Sequence, residues 1–373
     1  MPIFLLVVLT VYGGMHAYVF FKASTGLSLG QTAYTGLAVF MIAMVLAPFA
    51  VRLLERSGHE LPASVFAYIG FTWMGFVFLF FCSSLLMDAY RLLIWTFRRP
   101  LMPSPLTAFV IPLAAAALIT AYGFFEALSI RAEHVVLEAP GLGTDRVRIA
   151  QVTDIHLGIV VGPQRLEKML QIVREARPDI LVSTGDLLDS TGPEVRASLE
   201  LFTQIRPPMG KYAVTGNHEY YAGLEEALAA TRGAGFTVLR QESFTIPGVM
   251  RIAGVDDPAG ELIPKDNATD AKVLGGASGL FTLFLKHRPL VESSAVGLFG
   301  LQLSGHTHRG QIFPFRLVTR LFFPRDSGLY SLGPSYLYAS RGTGTWGPPV
   351  RFISPPEVTI IDLVKRPPAT KIS

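Results

Sequence analysis

Four stretches in the first 130 residues, Pro2–Phe21, Thr32–Leu54, Ser64–Ile94 and Pro105–Ile130, run almost without charged side chains. Each reaches the roughly 20 residues a helix needs to cross a bilayer. Inside lipid the backbone must satisfy its own hydrogen bonds, so runs of this kind fold as helices. Trp73 and Trp95 fit such a segment and its boundary. Only 16% of the 373 residues are charged, against about a quarter in an average soluble protein, and the shortage falls in this first third. The buried helices of a soluble protein would keep a polar face, and these four keep almost none. No Lys or Arg precedes the first run and three more follow it, so it does not read as a cleavable signal peptide.

The expectation is a four-helix transmembrane bundle over residues 1–130. An even number of spans puts both ends of the bundle on one side. Lys22, Arg91, Arg98 and Arg99 fall on one face, and Arg52, Arg56, Arg131, Arg146 and Arg148 on the other, which decides no orientation. Asp88 has Arg91 one helical turn away and reads as half of a local ion pair. No row of intramembrane charges suggests transport, so the bundle reads as an anchor. The chain is expected to be a multi-pass plasma (inner) membrane protein, with its remainder preferred on the cytosolic side.

Residues 131–146 read as a linker with a first edge strand, and residues 147–373 as an α/β domain. Apolar strands alternate with amphipathic helices there. Leu166, Met169, Leu170, Val173 and Ala176 recur at helical spacing after Pro163, which suits a first turn. Five strand ends each carry polar residues of metal-ligating type: Asp154 with His156, Asp186, Asn217 with His218, His287, and His306 with His308. Ligands collect at the carboxyl ends of strands in α/β sheets. Asp154 and His156 are two apart, so on an extended backbone both side chains leave from one face. Taken singly, each has a bland reading as a turn or core residue. The chain has eight histidines, and five of them fall in this set, which random placement would not produce.

Seven candidate ligands are too many for one ion and suit two ions sharing a carboxylate. Oxygen and nitrogen donors without a thiolate favour two divalent metal ions, Mn before Fe, Zn or Mg. Two such ions would activate a bridging hydroxide and clamp the oxygens of a phosphoryl group. His218 stands beside a ligand and is free to protonate the leaving oxygen. The glycines before Asp186, Asn217 and His306 would permit tight turns.

At this point the sequence resembles the calcineurin-like metallophosphoesterases. The motifs that carry the resemblance are Asp154-x-His156, Gly185-Asp186, Gly216-Asn217-His218-Glu219, His287 and Gly305-His306-x-His308, over about residues 145–365. The resemblance implies a four-layered α/β/β/α sandwich. It implies one metal on Asp154, His156, Asp186 and His308, a second on Asp186, Asn217, His287 and His306, and His218 as the acid. Gly305–Gln311 and Ser340-Arg341-Gly342-x-Gly344 look like a bacterial membrane-associated branch. Some members of that branch, and relatives nearby, hydrolyse UDP-2,3-diacylglucosamine. Related sequences often have Gly where this chain has Arg309, which is either a surface residue or a contact to substrate phosphate. Asp189 and Glu219 read as supporting or surface groups and not as ligands.

Phe313–Pro324 is apolar and basic. It reads either as a core strand or as a lip facing the membrane, where Phe and Leu enter the interface and Arg meets lipid phosphate. Two function classes therefore stand: an anchored phosphoesterase acting on a phosphodiester or pyrophosphate, with lipid-linked nucleotides the favoured subclass, and a membrane sensor or transporter with a regulatory phosphoesterase module. The expected partners are the bilayer and a phosphorylated substrate. A net charge of +4 without a Lys/Arg run gives nucleic acid no groove. The single Cys82 excludes an intramolecular disulfide. Oligomeric state is not legible.

Overall fold

The apolar runs form four helices in the computed structural model, which describes residues 2–97, 102–260, 270–275 and 279–365. They are α1 (Pro2–Leu27), α2 (Gln31–Arg56), α3 (Glu60–Thr96) and α4 (Pro105–Leu128). Three segments are long and apolar enough to cross a membrane among the described residues: Gln31–Glu55, Leu61–Thr96 and Pro105–Leu128. Three of the four expected spans meet that length and composition among the described residues. Arg98 and Arg99, used in weighing orientation, lie outside the described residues.

The chain divides into two compact units. One holds the helices as far as Phe125 together with Gly347–Phe352, and the other runs from Glu126 to Trp346 and resumes at Ile353. Within the first unit, polar side chains pair between helices. Trp73 Nε1 donates to His16 Nε2 at 2.9 Å, and the Tyr18 hydroxyl donates to Asp88 at 2.6 Å. Lys22 forms the ion pair with Asp88. Asp88 gains these partners beyond the Arg91 expected from spacing because α1 packs alongside α3.

In the second unit, β1 (Arg131–Glu138) follows α4 almost directly. Residues 131–146, read as a linker with a first edge strand, hold β1, an eight-residue strand at the edge of its sheet, paired in parallel with the last strand of the chain. Next come β2 (Arg146–Val152), α5 (Pro163–Ala176), β3 (Ile180–Ser183), α6 (Pro193–Leu199), β4 (Lys211–Ala213), α7 (Asn217–Ala222), α8 (Leu224–Gly233) and β5 (Thr237–Val238). The remainder is β6 (Glu242–Ile246), β7 (Met250–Gly254), α9 (Asp270–Leu274), β8 (Thr282–Leu285), β9 (Leu301–Ser304), α10 (Phe315–Phe322), β10 (Gly328–Ser331), β11 (Tyr336–Ala339) and β12 (Glu357–Val364). Residues 261–269 and 276–278, on either side of α9, lie outside the described residues.

These strands make two six-stranded mixed sheets. One runs β1-β12-β2-β3-β4-β5, the other β10-β11-β9-β8-β7-β6. Strands β2, β3 and β4 are mutually parallel, as are β7, β8, β9 and β11. Their near-continuous apolar sequences follow from burial on both faces. Ile149, Ile180, Leu283 and Leu303 turn inward and pack between the sheets. Their neighbours Ala150 and Leu181 turn outward against Leu166, Met169 and Leu170 of α5, as the period of two requires. On the far face of the second sheet, Ala253 and Phe284 pack with Leu274 and Phe299.

Two elements depart from the sequence reading. Strand β6 is an edge whose residues are mostly exposed, so it lacks an apolar signal. Phe315–Phe322 forms a helix where a core strand was one of the two readings, and none of its residues is buried. Aromatic and β-branched content suggested a strand, but Arg316 and Arg320 stand four apart and Leu317 and Leu321 likewise, which is helical spacing.

Leu283 is fully buried between the sheets. Leu283→Ala should therefore cost about 2–5 kcal/mol, read as a lower thermal midpoint of the full-length protein in detergent. An unchanged midpoint would contradict the close packing of the two sheets.

Candidate metal centre

The central strands of both sheets end beside one another. From the first sheet, the turn after β2 supplies Asp154 and His156, that after β3 supplies Asp186, and that after β4 supplies Asn217 and His218. From the second, the turn after β8 supplies His287 and that after β9 supplies His306 and His308. Asp154 and His156 do converge, but not from an extended backbone: their φ values are 52° and 56°. Asp186, His306 and His308 are also left-handed, at 51°, 71° and 46°. Such a conformation costs about 1–3 kcal/mol per non-glycine residue and persists only where neighbours impose it.

The neighbours that impose it can be named. The Asp154 amide donates to Gly185 O at 3.0 Å and the His156 amide to Asp186 O at 3.1 Å, locking the first two turns together. The ligand carboxylates also accept amides: His306 N–H donates to Asp154 Oδ1 and His218 N–H to Asp186 Oδ1, both at 2.8 Å. The buried Glu219 carboxylate accepts the amides of Gly216 at 2.7 Å, Leu187 at 2.7 Å and Asp186 at 3.0 Å. From the chain's tail, the Thr343 and Gly344 amides donate to Thr153 O and Asp154 O at 2.8 and 3.0 Å. Two glycines make these approaches possible. A Cβ at Gly216 would lie 2.2 Å from Asp186 Oδ1, and one at Gly305 2.1 Å from Asp154 Oδ2. Neither has a positive φ, so close approach, not backbone freedom, is what they provide.

The predicted ligands fall into two groups, while Asp189 and His218 join His156 in a third. Asp154, His156 and His308 offer atoms within 4.8 Å of one another, and so do Asp186, His287 and His306. Asp186 Oδ2 lies between the groups, 3.2 Å from His287 Nε2 and 3.9 Å from His156 Nε2. Within each group the imidazoles crowd: His156 Nε2 is 3.0 Å from His308 Nε2, and His306 Nδ1 is 3.2 Å from His287 Nε2. Asn217 Oδ1 is buried and has no hydrogen-bond partner. A buried carbonyl oxygen of this kind is rare in a folded chain unless something binds it. The set of carboxylates, imidazoles and one amide oxygen, with no thiolate, fits divalent cations.

Charge in the cluster is mixed: burial works against the His287 imidazolium, yet the Asp186 carboxylate beside it raises it to about 10. Burial pushes Asp186 up, but the His287, His218 and His156 charges overcome it and hold its carboxyl well below the usual range. Burial raises Asp154, with the nearby Asp186 adding to the rise. His306 is driven down to about 2 by burial and by His287, so its imidazole is neutral, the form that ligates. Burial works against the His218 imidazolium, yet the Asp189 carboxylate beside it raises it to about 9.

Of the predicted site residues, the structure brings together Asp154, His156, Asp186, Asn217, His218, His287, His306 and His308. Arg309 is elsewhere: its charged neighbours are Arg316, Arg341, Asp326 and Glu357. Asp189 is more than a surface group, because its Oδ1 lies 2.7 Å from His156 Nδ1 and 2.8 Å from His218 Nδ1. Three aromatic neighbours had no sequence signal. Tyr221 and Trp346 lie 5.4 and 5.9 Å from the His218 ring, and Phe323 lies 4.9 Å from that of His306.

Residues 147–310 match the calcineurin-like phosphoesterase family. An uncharacterized metallophosphoesterase of Aquifex aeolicus is 39% identical over 254 residues, covering 66% of this chain and 97% of that protein. One of Campylobacter jejuni is 35% identical over 238 residues, covering 61% of this chain and 62% of its own. A Danio rerio protein described as a transmembrane protein with metallophosphoesterase domain is 33% identical over 231 residues, covering 58% of this chain and 53% of its own. The chain thus spans nearly all of the first relative and under two thirds of the other two. It belongs to the calcineurin-like metallophosphoesterases and is a metal-dependent phosphoesterase.

A carboxylate that orients a ligating histidine typically contributes 10–100-fold in metal affinity. Asp189→Ala should weaken metal binding by about that factor, measured by competition with a chelator. Undiminished affinity would show that the contact to His156 does not orient a ligand.

Proposed function

We propose that this protein is a membrane-anchored, two-metal phosphoesterase that cleaves a phosphodiester or pyrophosphate bond in an amphiphilic substrate. A lipid-linked nucleotide such as UDP-2,3-diacylglucosamine is the favoured candidate. The observation that carries the reading is the pair of donor groups meeting at Asp186. Asp154, His156, Asp186 and His308 would hold one ion, and Asp186, Asn217, His287 and His306 the second. Mn is the expected metal, with Fe, Zn and Mg as alternatives. When bound, such a pair polarises phosphoryl oxygens and activates water.

The protein's own residues supply the proton. Asp189 engages His218 at Nδ1, which leaves Nε2 as the nitrogen able to protonate a leaving oxygen. The same carboxylate favours the charged imidazole, the form an acid needs. Tyr221 and Trp346 border that ring and limit its rotation.

The lipid-linked substrate class draws support from α10. Leu317, Leu321 and Phe322 are 59%, 78% and 69% exposed, and Arg320 shares their helix. An amphipathic helix of this composition suits a bilayer interface. The apolar helices of the first unit support membrane embedding, as does the description of the Danio rerio relative. In this reading the enzyme resides in the plasma (inner) membrane with its second unit in the cytosol, where a UDP-linked substrate is found.

The reading is tested with full-length protein purified in detergent, stripped and reloaded with Mn²⁺. Bis-p-nitrophenyl phosphate and UDP-2,3-diacylglucosamine should both be cleaved, the second releasing UMP. His218→Ala should lower kcat about 10²–10⁴-fold with metal content retained, and Asp186→Ala should lose metal and activity together. Cleavage of the chromogenic diester alone removes the nucleotide substrate but keeps the chemistry. Metal bound without activity on either compound overturns the enzymatic reading. Leu321→Ser combined with Phe322→Ser should reduce activity on the lipid-linked substrate and spare the chromogenic one. Phe323 is left intact because it touches His306. Equal loss on both substrates would remove α10 from substrate capture.

A further inference from the structure

The second unit has a cavity of ≈ 440 Å³ walled by β1, β10, β11 and β12 and by the segment that follows His308. Its volume is in the range of small-molecule sites. Three arginines line it, Arg309, Arg316 and Arg341, together with Glu133, Glu357 and Ser327. Every acidic group there already has an arginine. Arg316 donates to Asp326 at 2.6 and 3.1 Å. Arg341 donates to Glu133 at 2.7 Å and lies 2.5 Å from Glu357. The Glu357 carboxylate is held further by the Tyr338 hydroxyl at 2.8 Å.

Arg309 differs from both. Carboxylates pair with Arg316 and Arg341, whereas none forms an ion pair with Arg309 among the described residues, and its buried Nε has no hydrogen-bond partner. An unmatched buried donor on a charged, planar fork is a feature that an oxyanion relieves by accepting two parallel hydrogen bonds. Arg309 is itself held in a left-handed turn, φ 52°, between His308 at 46° and Gly310 at 76°. Its backbone is therefore fixed by the same turn that presents His308, while its side chain lines the cavity.

We propose that this cavity is a binding site for a phosphate oxyanion, received by the Arg309 guanidinium and separate from the metal-ligand cluster. Phosphate is favoured over a carboxylate because the tetrahedral group has oxygens for Arg309 and for a second donor such as the Ser327 hydroxyl. Its source is either a free phosphate compound or the headgroup of an anionic phospholipid. The cavity is too small for a nucleic-acid strand.

The test is calorimetric titration of the full-length, metal-loaded protein in detergent with inorganic phosphate and, separately, with dihexanoyl phosphatidate. Arg309→Ala and Arg309→Gln should each weaken one class of phosphate binding at least tenfold, with metal content and circular dichroism unchanged. Arg309→Gln decides the matter if the alanine variant does not fold. That same binding should survive Asp186→Ala, which separates the cavity from the metal cluster. Phosphatidate binding more than tenfold tighter than inorganic phosphate assigns the cavity to a lipid headgroup, and equal affinity assigns it to a free phosphate. The proposal is overturned if no probe binds, if both Arg309 variants bind as the parent does, or if Asp186→Ala abolishes the binding.

Discussion

The buried carboxylate of Glu219 accepts amides from two different turns, those after β3 and β4, and so makes their relative position a matter of hydrogen-bond length. A charged acceptor serving several backbone donors in a dry environment is stronger than a neutral one and intolerant of displacement. Asp186 is held by this carboxylate through its own amide, and its Oδ2 is the atom that stands between the two donor groups. The spacing of those groups therefore rests on a side chain that is not among the donors. Asp154 plays the corresponding part across the sheets: it accepts the His306 amide from the second sheet while its own amide reaches Gly185 of the first.

Much of this was legible in the sequence because strand ends leave a readable mark. An apolar run that stops at Asp, Asn or His announces both a strand and what its end presents, and all eight residues of the cluster were found that way. What escaped was geometry that does not project onto one dimension. The left-handed turns at Asp154 and His156 look extended from spacing alone, since nothing in a D-x-H tripeptide distinguishes the two. Asp189 has no neighbour in sequence that hints at its contacts with His156 and His218. Trp346 and Phe323 come from segments that only the fold carries to the site. Helix α10 was misread in one of two ways because aromatic content outweighed the four-residue spacing of its arginines. In the first unit, Asp88 found Lys22, 66 positions away, in place of an adjacent arginine, a partner that only helix packing could supply.

The second unit therefore presents two chemically different surfaces a few residues apart. His306 and His308 belong to a cluster of carboxylates and imidazoles whose donor atoms suit cations. Arg309, the next residue, belongs to a cavity in which guanidinium groups outnumber carboxylates three to two among its lining residues. The exposed apolar side chains of α10 begin a few residues later and bring a third kind of surface to the same stretch of chain.

The left-handed backbone at Asp154, His156, Asp186, His306 and His308 also says how such a protein would change under selection. Glycine adopts that conformation without penalty, so each of these five positions is one where a glycine would relieve strain while deleting a donor. A lineage selected for robustness alone would drift toward a quieter, tougher and inert domain, and the drift would begin at the strand ends. The persistence of five strained, non-glycine residues in one small region marks where the chain has kept its working parts at the expense of its rest state.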